Sequence, residues 1–527
     1  MVKFQIMSSL FILLLMILGA YELTRFSSNH STMSRSTSSR YIHVQLLGVN
    51  DFHGQLTNYR SVSGTMAGGA EYLAAYLKKY KQKNSNTLLV HAGDMVGGSP
   101  PISSQFQDEP TIEFLNLLNF DIGTPGNHEL DRGVKEMNRL IFGGFHDKKT
   151  GYFQGANASY ISANIIDKKT GTPFLHPYVI KQIDGINIGF IGVVTTETNL
   201  YVIPKNRKEV VIMDEVTAIN RTVKLLKEKG IKAIVVLAHV SAKTDRTGAN
   251  PQEALMEIIA KIDDEVDVIF AGHSHDYANT TIDGKLIVQA YSYGKAFAQV
   301  NLKLDRDTQD IVKKDAKIIV TSHDHITPDK ETVFLIHKYG GKLGSHLNHV
   351  LGVIPEDISR KQDVNGESQF AEMIAESERK AMDVDIAFVH QGEMRESLKK
   401  GKLTLGDLYT ALPFGHRVNK IILTGNEIKL ALEQQWRKDQ ENDMLQTVGI
   451  TYNWDSAAPI GSRISNLKDR IGQDLEPNKH YEVAVSNYLA SGGDGFTAFE
   501  QGRFIKSGPL VVMAFKQYIT EKYSYEN

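Results

Sequence analysis

From Tyr41 onward, short apolar runs bounded by turn formers alternate with stretches of helical spacing. His43–Asn50, Asn86–His91, Ile186–Val194, Ile231–Ala238 and Val266–Phe270 each predict a strand. Between them, Ala70–Lys79, Thr111–Asn119, Glu215–Lys229 and Pro251–Ile262 place apolar residues three and four apart, which predicts helices with one inward face. Strands alternating with helices predict an α/β layered domain whose sheet is covered by helices. The alternation breaks near Thr321–Asp329, and Glu331–His349 reads as one linking helix. A second α/β unit then begins. Its predicted helices are Gln369–Ala381, Leu405–Leu412 and Asn426–Lys438, and its strands Ile386–His390, Asn419–Leu423 and Tyr481–Ser486. The expected division is a first domain over 41–325, a linker over 326–350 and a second domain over 351–527.

Ahead of the first strand, Lys3 precedes the apolar run Ile6–Ala20, so residues 1–23 read as a signal peptide or an N-terminal membrane anchor. Leu18 stands where cleavage wants a small residue, and both readings stay open. The Ser/Thr/Arg-rich stretch 24–40 reads as a flexible tether. The expectation is an exported, extracellular or cell-surface body that meets a membrane only through its N-terminus. The chain has 527 residues, 41% apolar and 23% charged, which suits a globular protein with a real core. Its net charge of −2 argues against a nucleic acid polymer as partner. It has no cysteine, so disulfides and thiolate metal sites are excluded, and any metal must be held by His, Asp, Asn or Glu.

Polar residues of that type form five clusters, each at the end of an apolar run. They are Asp51 and His53; Asp94; Asn127 and His128; His239; and His273 and His275. In open α/β sheets, ligands gather beyond the carboxyl ends of strands, so five loops can converge on one site. Two divalent cations held by nitrogen and oxygen need about this inventory. Asp94, alone in its loop, suits a bridging position. Asp131 lies three residues beyond His128, close enough to orient its imidazole.

Asp51-Phe-His53, Gly93-Asp94, Gly126-Asn-His-Glu129, His239 and Gly272-His-Ser-His275 resemble the five signature blocks of the calcineurin-like metallophosphoesterases. With Gly392-Glu-Met-Arg395, Leu412-Pro-Phe-Gly415 and Leu489–Phe496, the chain from about Tyr41 resembles the two-domain 5′-nucleotidase family. The resemblance implies a layered α-β-β-α catalytic domain and a second α/β domain for substrate recognition. It implies that Asp51, His53, Asp94 and His275 hold one metal, and Asp94, Asn127, His239 and His273 the other. It implies that His128, held by Asp131, stabilises the transition state. It further implies that Arg395 binds phosphate, that Phe414 and Tyr488 sandwich a base, and that Asp494 faces the ribose or base. Substrate would bind between the domains, with domain rotation gating turnover.

The chain departs from the pattern at His390, where the family has Asn, and near Gly366 and Ala371-Glu372, where many members have a phosphate-binding Arg and a Gly-Asn pair. The expectation is a 5′-nucleotidase that uses two divalent ions (Zn, Mn or Fe) to release phosphate from a nucleotide. A 2′,3′-cyclic-nucleotide phosphodiesterase or a nucleotide-sugar pyrophosphatase on the same centre is the alternative. A non-catalytic surface binding protein is the alternative of another class. Oligomeric state is not legible.

Overall fold

A computed structural model of the chain describes residues 39–146, 151–363, 365–436 and 444–523. The expected signal or anchor, and all of the tether but residues 39–40, lie outside the described residues. Arg40 is not loose: its guanidinium pairs with Asp305 at 2.6 Å. No helix among the described residues is long and apolar enough to cross a membrane.

The first domain is built on two six-stranded sheets. In chain order, the first sheet takes β1 (Tyr41–Val49), β2 (Thr87–His91), β3 (Ile122–Gly123) and β4 (Ser159–Tyr160). These four run parallel, side by side. The second sheet takes β5 (Tyr178–Ile183), β6 (Ile186–Val194), β7 (Ala233–His239), β8 (Val266–Phe270), β9 (Tyr277–Ile282) and β10 (Lys285–Ala290). In it β6, β7, β8 and β10 are parallel neighbours. The antiparallel pair β11 (Ala296–Asp305) and β12 (Asp310–Val320) then returns to complete the first sheet beside β1.

The sheets face each other through Val44, Leu46 and Val90 on one side and Ile188, Phe190, Val235, Leu237 and Val268 on the other. Both faces of the central strands are buried, so their sequences run apolar rather than alternating. Outside the first sheet lie α1 (Ala70–Lys81), α2 (Glu109–Leu117) and α3 (Val134–Phe142); outside the second lies α4 (Glu215–Glu228). In α4, Ala218, Ile219, Thr222, Val223 and Leu226 turn inward at helical spacing, and Asp214 caps its start by accepting from Thr217 N at 2.7 Å. The result is an α-β-β-α layering.

Three predicted helices are shorter than expected; one, Asn426–Lys438, is helical over Gly425–Glu433. Pro251–Ile262 contains helix only over Ala254–Ile258, with a tighter turn over Ile259–Lys261. There Gln252 pairs with Lys243 and Glu253 takes φ 82°, which delays the start. The linking helix is α5, Lys330–Lys342. Gly340, Gly341 and Gly344 (φ 78°) lie where it ends. Its Leu335 and Tyr339 join the core of the first domain, and Lys338 pairs with Glu113 at 2.7 Å. This helix is therefore packed as part of the first domain, whereas Leu347 just beyond it joins a core cluster of the second.

The second domain has one five-stranded sheet. Its strands in chain order are β13 (Ile386–His390), β14 (Arg417–Thr424), β15 (Leu445–Val448), β16 (His480–Ser486) and β17 (Arg503–Leu510). Helices α6 (Gln369–Met382), α7 (Leu405–Ala411), α8 (Gly425–Glu433) and α9 (Val511–Lys522) cover it. Separate apolar clusters, one around Phe370 and Phe515 and one around Phe388 and Phe499, fill its two faces.

Candidate active site

The expected ligands all follow carboxyl ends of parallel strands: Asp51 and His53 after β1, Asp94 after β2, Asn127 and His128 after β3, His239 at the end of β7, and His273 and His275 after β8. Three of these strands are neighbours in one sheet and two are neighbours in the other, so the loops meet at one edge of the sandwich. The first two loops are stitched together by Asp51 N→Gly93 O (3.1 Å) and His53 N→Asp94 O (3.0 Å). Asp51, His53, Asp94, His273 and His275 all adopt positive φ, between 49° and 82°. Asp and His tolerate this region better than most side chains, but each such turn carries strain of order 1–3 kcal/mol.

Donor atoms converge in groups. Asp51, His53 and His275 form one; Asp94, His239 and His273 form another; His53, Asp94 and His128 link them. His53 Nε2 lies 3.0 Å from His275 Nε2, and His239 Nε2 lies 3.1 Å from Asn127 Oδ1 and 3.2 Å from Asp94 Oδ2. His53 Nδ1 donates to Gly97 O and His239 Nδ1 to Ala92 O, both at 2.8 Å, which turns each Nε2 lone pair toward the centre. Lone pairs facing lone pairs in a buried site fit a cation, and nitrogen and oxygen donors without sulfur fit the harder divalent metals.

The electrostatics agree. Burial pushes Asp51 up to about 6, and holds His53 and His275 well below the usual imidazole range, as neutral bases. Burial opposes ionisation of Asp94 too, but His239, His128 and His53 around it hold its carboxyl well below the ordinary value. Burial lowers His239, yet Asp94 beside it outweighs this and brings it up to about 9, so a cation binding there would displace the Nε2 proton.

His128 lies at the mouth. Its Nδ1 is 2.7 Å from Asp131 Oδ2, and its backbone N–H donates to Asp94 Oδ1 at 2.9 Å. Burial would lower its pKa, but Asp131 and then Asp94 more than offset that, favouring an imidazolium that can donate.

Sequence reasoning gave no role to two acidic residues here. Glu129 accepts from the backbone N–H groups of Gly126 (2.6 Å), Met95 (2.9 Å) and Asp94 (3.0 Å), tying the two central loops together. Burial, then the charge of Asp94, pushes it up to about 7. Gly126 is required at this crossing: a Cβ there would lie 2.1 Å from Asp94 Oδ1. Glu197, from the loop after β6, places Oε2 3.1 Å from His273 Nε2. Its one signal in the sequence was that it too follows a strand end.

The second domain closes over this centre and leaves a cavity of about 510 Å³ lined by both domains. Arg395 reaches across to within 3.3 Å of His53 Nε2 and stacks 5.6 Å over Phe414. Beside it, Arg60 and Glu396 pair across the domains at 2.5 Å. Arg360, unremarked in its polar loop, also lines the cavity. Gly366 and Glu372 do not: Gly366 sits against Met444, and Glu372 is exposed on α6.

Two sets of expected substrate contacts are already engaged within the protein. Phe414 and Tyr488 do not face each other across an open gap. His416 stands between them, 5.3 Å from Phe414 at 13° and 5.2 Å from Tyr488 at 2°. Phe414 stacks in turn on His128 at 5.7 Å. Asp494 lines the cavity but is engaged within the protein, accepting from Tyr488 OH at 2.8 Å and lying 2.7 Å from His390 Nδ1. The His found where the family has Asn thus reaches the acid that was expected to face substrate.

Residues 44–277 match the family model for calcineurin-like phosphoesterases, and residues 346–501 match that for the 5′-nucleotidase C-terminal domain. The cell wall protein Lmo0130 of Listeria monocytogenes is 32% identical over 528 residues, covering 91% of this chain and 67% of that protein. The endonuclease YhcR of Bacillus subtilis is 37% identical over 465 residues, covering 87% of this chain but only 38% of the relative. A 5′-nucleotidase precursor from Thermus thermophilus shares the fold, with a TM-score of 0.79 at 23% identity over 92% of this chain and 97% of that one. Both domains and their order agree, and the chain belongs to the two-domain 5′-nucleotidase family of metal-dependent phosphoesterases.

Proposed function

We propose that this chain is an exported 5′-nucleotidase that hydrolyses nucleoside monophosphates in the cleft between its domains. The observation that carries the reading is the confrontation across one cavity: buried donor atoms on one wall, Arg395, Arg360 and a ladder of aromatic rings on the other. Asp51, His53, Asp94 and His275 would hold one cation, and Asp94, Asn127, His239 and His273 the other. Zn, Mn or Fe suits these donors. Bound divalent cations supply the positive charge that acidifies water and draws electrons from a phosphoryl group.

The chain's own groups do the rest. Arg395 and Arg360 bind phosphoryl oxygens through charge-assisted hydrogen bonds. His128 donates to a phosphoryl oxygen as charge builds, and Asp131 fixes its ring and favours its protonated form. Water adds to phosphorus, the bond to the ribose oxygen breaks, and nucleoside and phosphate leave. Phe414 and Tyr488 flank the base. Export is supported by the apolar run Ile6–Ala20 and by the relative named as a cell wall protein.

A phosphodiesterase on the same centre is the second reading, favoured by the 37% identity to a relative named an endonuclease. The deciding experiment incubates chelated protein, reloaded with Mn or Zn, with AMP, 2′,3′-cyclic AMP, a UDP-sugar and bis(p-nitrophenyl) phosphate. Phosphate, nucleoside, nitrophenol and sugar phosphate are all followed, and Asp94→Asn serves as control. Metal-dependent release of adenosine from AMP, lost in Asp94→Asn, supports the nucleotidase. Turnover of diesters alone replaces it with the second reading, and no turnover with two metals bound returns the non-catalytic binding protein.

A further inference from the structure

We propose that His416 is a built-in occupant of the base slot, and that its displacement decides which phosphate esters this site accepts. The inference rests on the nucleotide reading above and concerns the part of the cavity lined by Phe414, His416 and Tyr488.

The walls of the slot are fixed. Tyr488 OH donates to Asp494 Oδ1 at 2.8 Å and lies 3.1 Å from Tyr201 O, while Phe414 stacks on His128. The filler is held differently. The backbone of His416 is anchored, its carbonyl accepting from Val511 N at 2.8 Å. Its ring is held by stacking: it lies nearly parallel to both neighbours, and its Nδ1 is buried without a hydrogen-bond partner among the described residues. The nearest carboxylate, Glu393 Oε2, is 3.7 Å away, too far for a hydrogen bond. A buried nitrogen without a partner is a standing penalty that lapses once the ring reaches water. An imidazole with stacking for it and an unpaired nitrogen against it is the least secured ring of the ladder His128, Phe414, His416, Tyr488. It can leave by rotation of its own side chain without moving the backbone.

The imidazole is also the size of half a purine. A purine offers both walls a larger flat face and so competes for the slot. A phosphate ester with no base leaves His416 in place. His416 therefore taxes base-bearing substrates and spares base-free ones, so the native preference is flatter than two aromatic walls alone would give.

The test compares the parent chain with His416→Ala and His416→Phe, all shown folded by matching thermal melts. Adenosine binding is measured by calorimetry, which needs no metal, and KM and kcat are measured for AMP and ribose 5-phosphate on Mn-loaded protein. The expected result for His416→Ala is adenosine binding tighter by roughly tenfold, the scale of one stacked base. Its KM for AMP falls, and its AMP-to-ribose 5-phosphate ratio of kcat/KM rises. His416→Phe, which refills the slot, weakens adenosine binding below the parent. Adenosine bound equally well or more weakly by His416→Ala overturns the inference, as does absence of binding to every form. If adenosine binding follows expectation but no form hydrolyses AMP, the nucleotidase reading fails and the slot assignment stands.

Discussion

In the first domain's half of the cleft, five of the seven proposed metal ligands sit at positive φ, and Asp51, His53 and His239 are fully buried. In the second domain's half, Asp494 alone among the proposed substrate residues has positive φ, and contacts are made by stacked rings and by side chains that reach across the gap. One half is thus strained and cross-tied, its donors fixed before anything binds. The other is relaxed and adjustable. Electrostatic chemistry rewards donors that need no rearrangement, whereas recognition tolerates a ring that swings. On this contrast, substitutions in the first half should destroy turnover, and those in the second should retune it.

The hardest test of that contrast is Asp94→Asn. It should lower kcat by roughly three orders of magnitude and reduce bound metal, while the chelated chain still melts as a folded protein. A larger loss from any second-domain variant would break the contrast. Arg395→Ala comes next, with about 10- to 100-fold lost from kcat/KM, chiefly through KM, as expected for one charge-assisted contact to phosphate.

Lys295 probes strain in the first half without touching a proposed ligand. Burial, then Arg60 nearby, lowers its pKa from 10.5 to about 8. The folded state therefore resists the charge that the unfolded state carries. This penalty is complete below about pH 8 and absent above about pH 10.5. Lys295→Met should stabilise the chelated chain by about 2 kcal/mol at pH 7, and its advantage should fade as pH rises toward 10.5. Denaturant melts at the two pH values would show it, and a pH-independent gain would mean that packing, not charge, is relieved. The smallest effect belongs to Arg60→Ala. The Arg60–Glu396 pair is partly exposed, so its loss should cost under about 1 kcal/mol and change kcat/KM less than about fivefold.

The same contrast explains what could be read from the sequence. Asp51-x-His53 or His273-x-His275 at the end of an apolar run is a conspicuous pattern, because a donor meant to converge with others must leave the sheet immediately. Glu129, though quoted within its motif, and Glu197 were given no role because they act through backbone N–H groups or a neighbouring ring, and an acid in a polar loop carries no such mark. In the second domain, Phe414, Tyr488 and Arg395 were legible only through resemblance. His416 was not legible at all: a histidine after Pro-Phe-Gly declares nothing about which rings will close on it. Arg360 was hidden for a similar reason, since only the fold brings its loop to the cavity. The layered architecture was plain in the alternation of runs, but the lengths of the helices at 251–262 and 331–349 depended on a single backbone turn and on clustered glycines.

The reach of Arg395 to His53 carries a consequence about order of assembly. Its guanidinium donates to His53 Nε2 at 3.3 Å. With His53 as a ligand, that lone pair cannot serve both a guanidinium and a cation. A cation held by His53 would therefore displace this contact and leave that guanidinium nitrogen to another acceptor. Assembly would then be ordered, like a two-stage lock: ions turn the first tumbler, and the arginine then turns this nitrogen toward a phosphate.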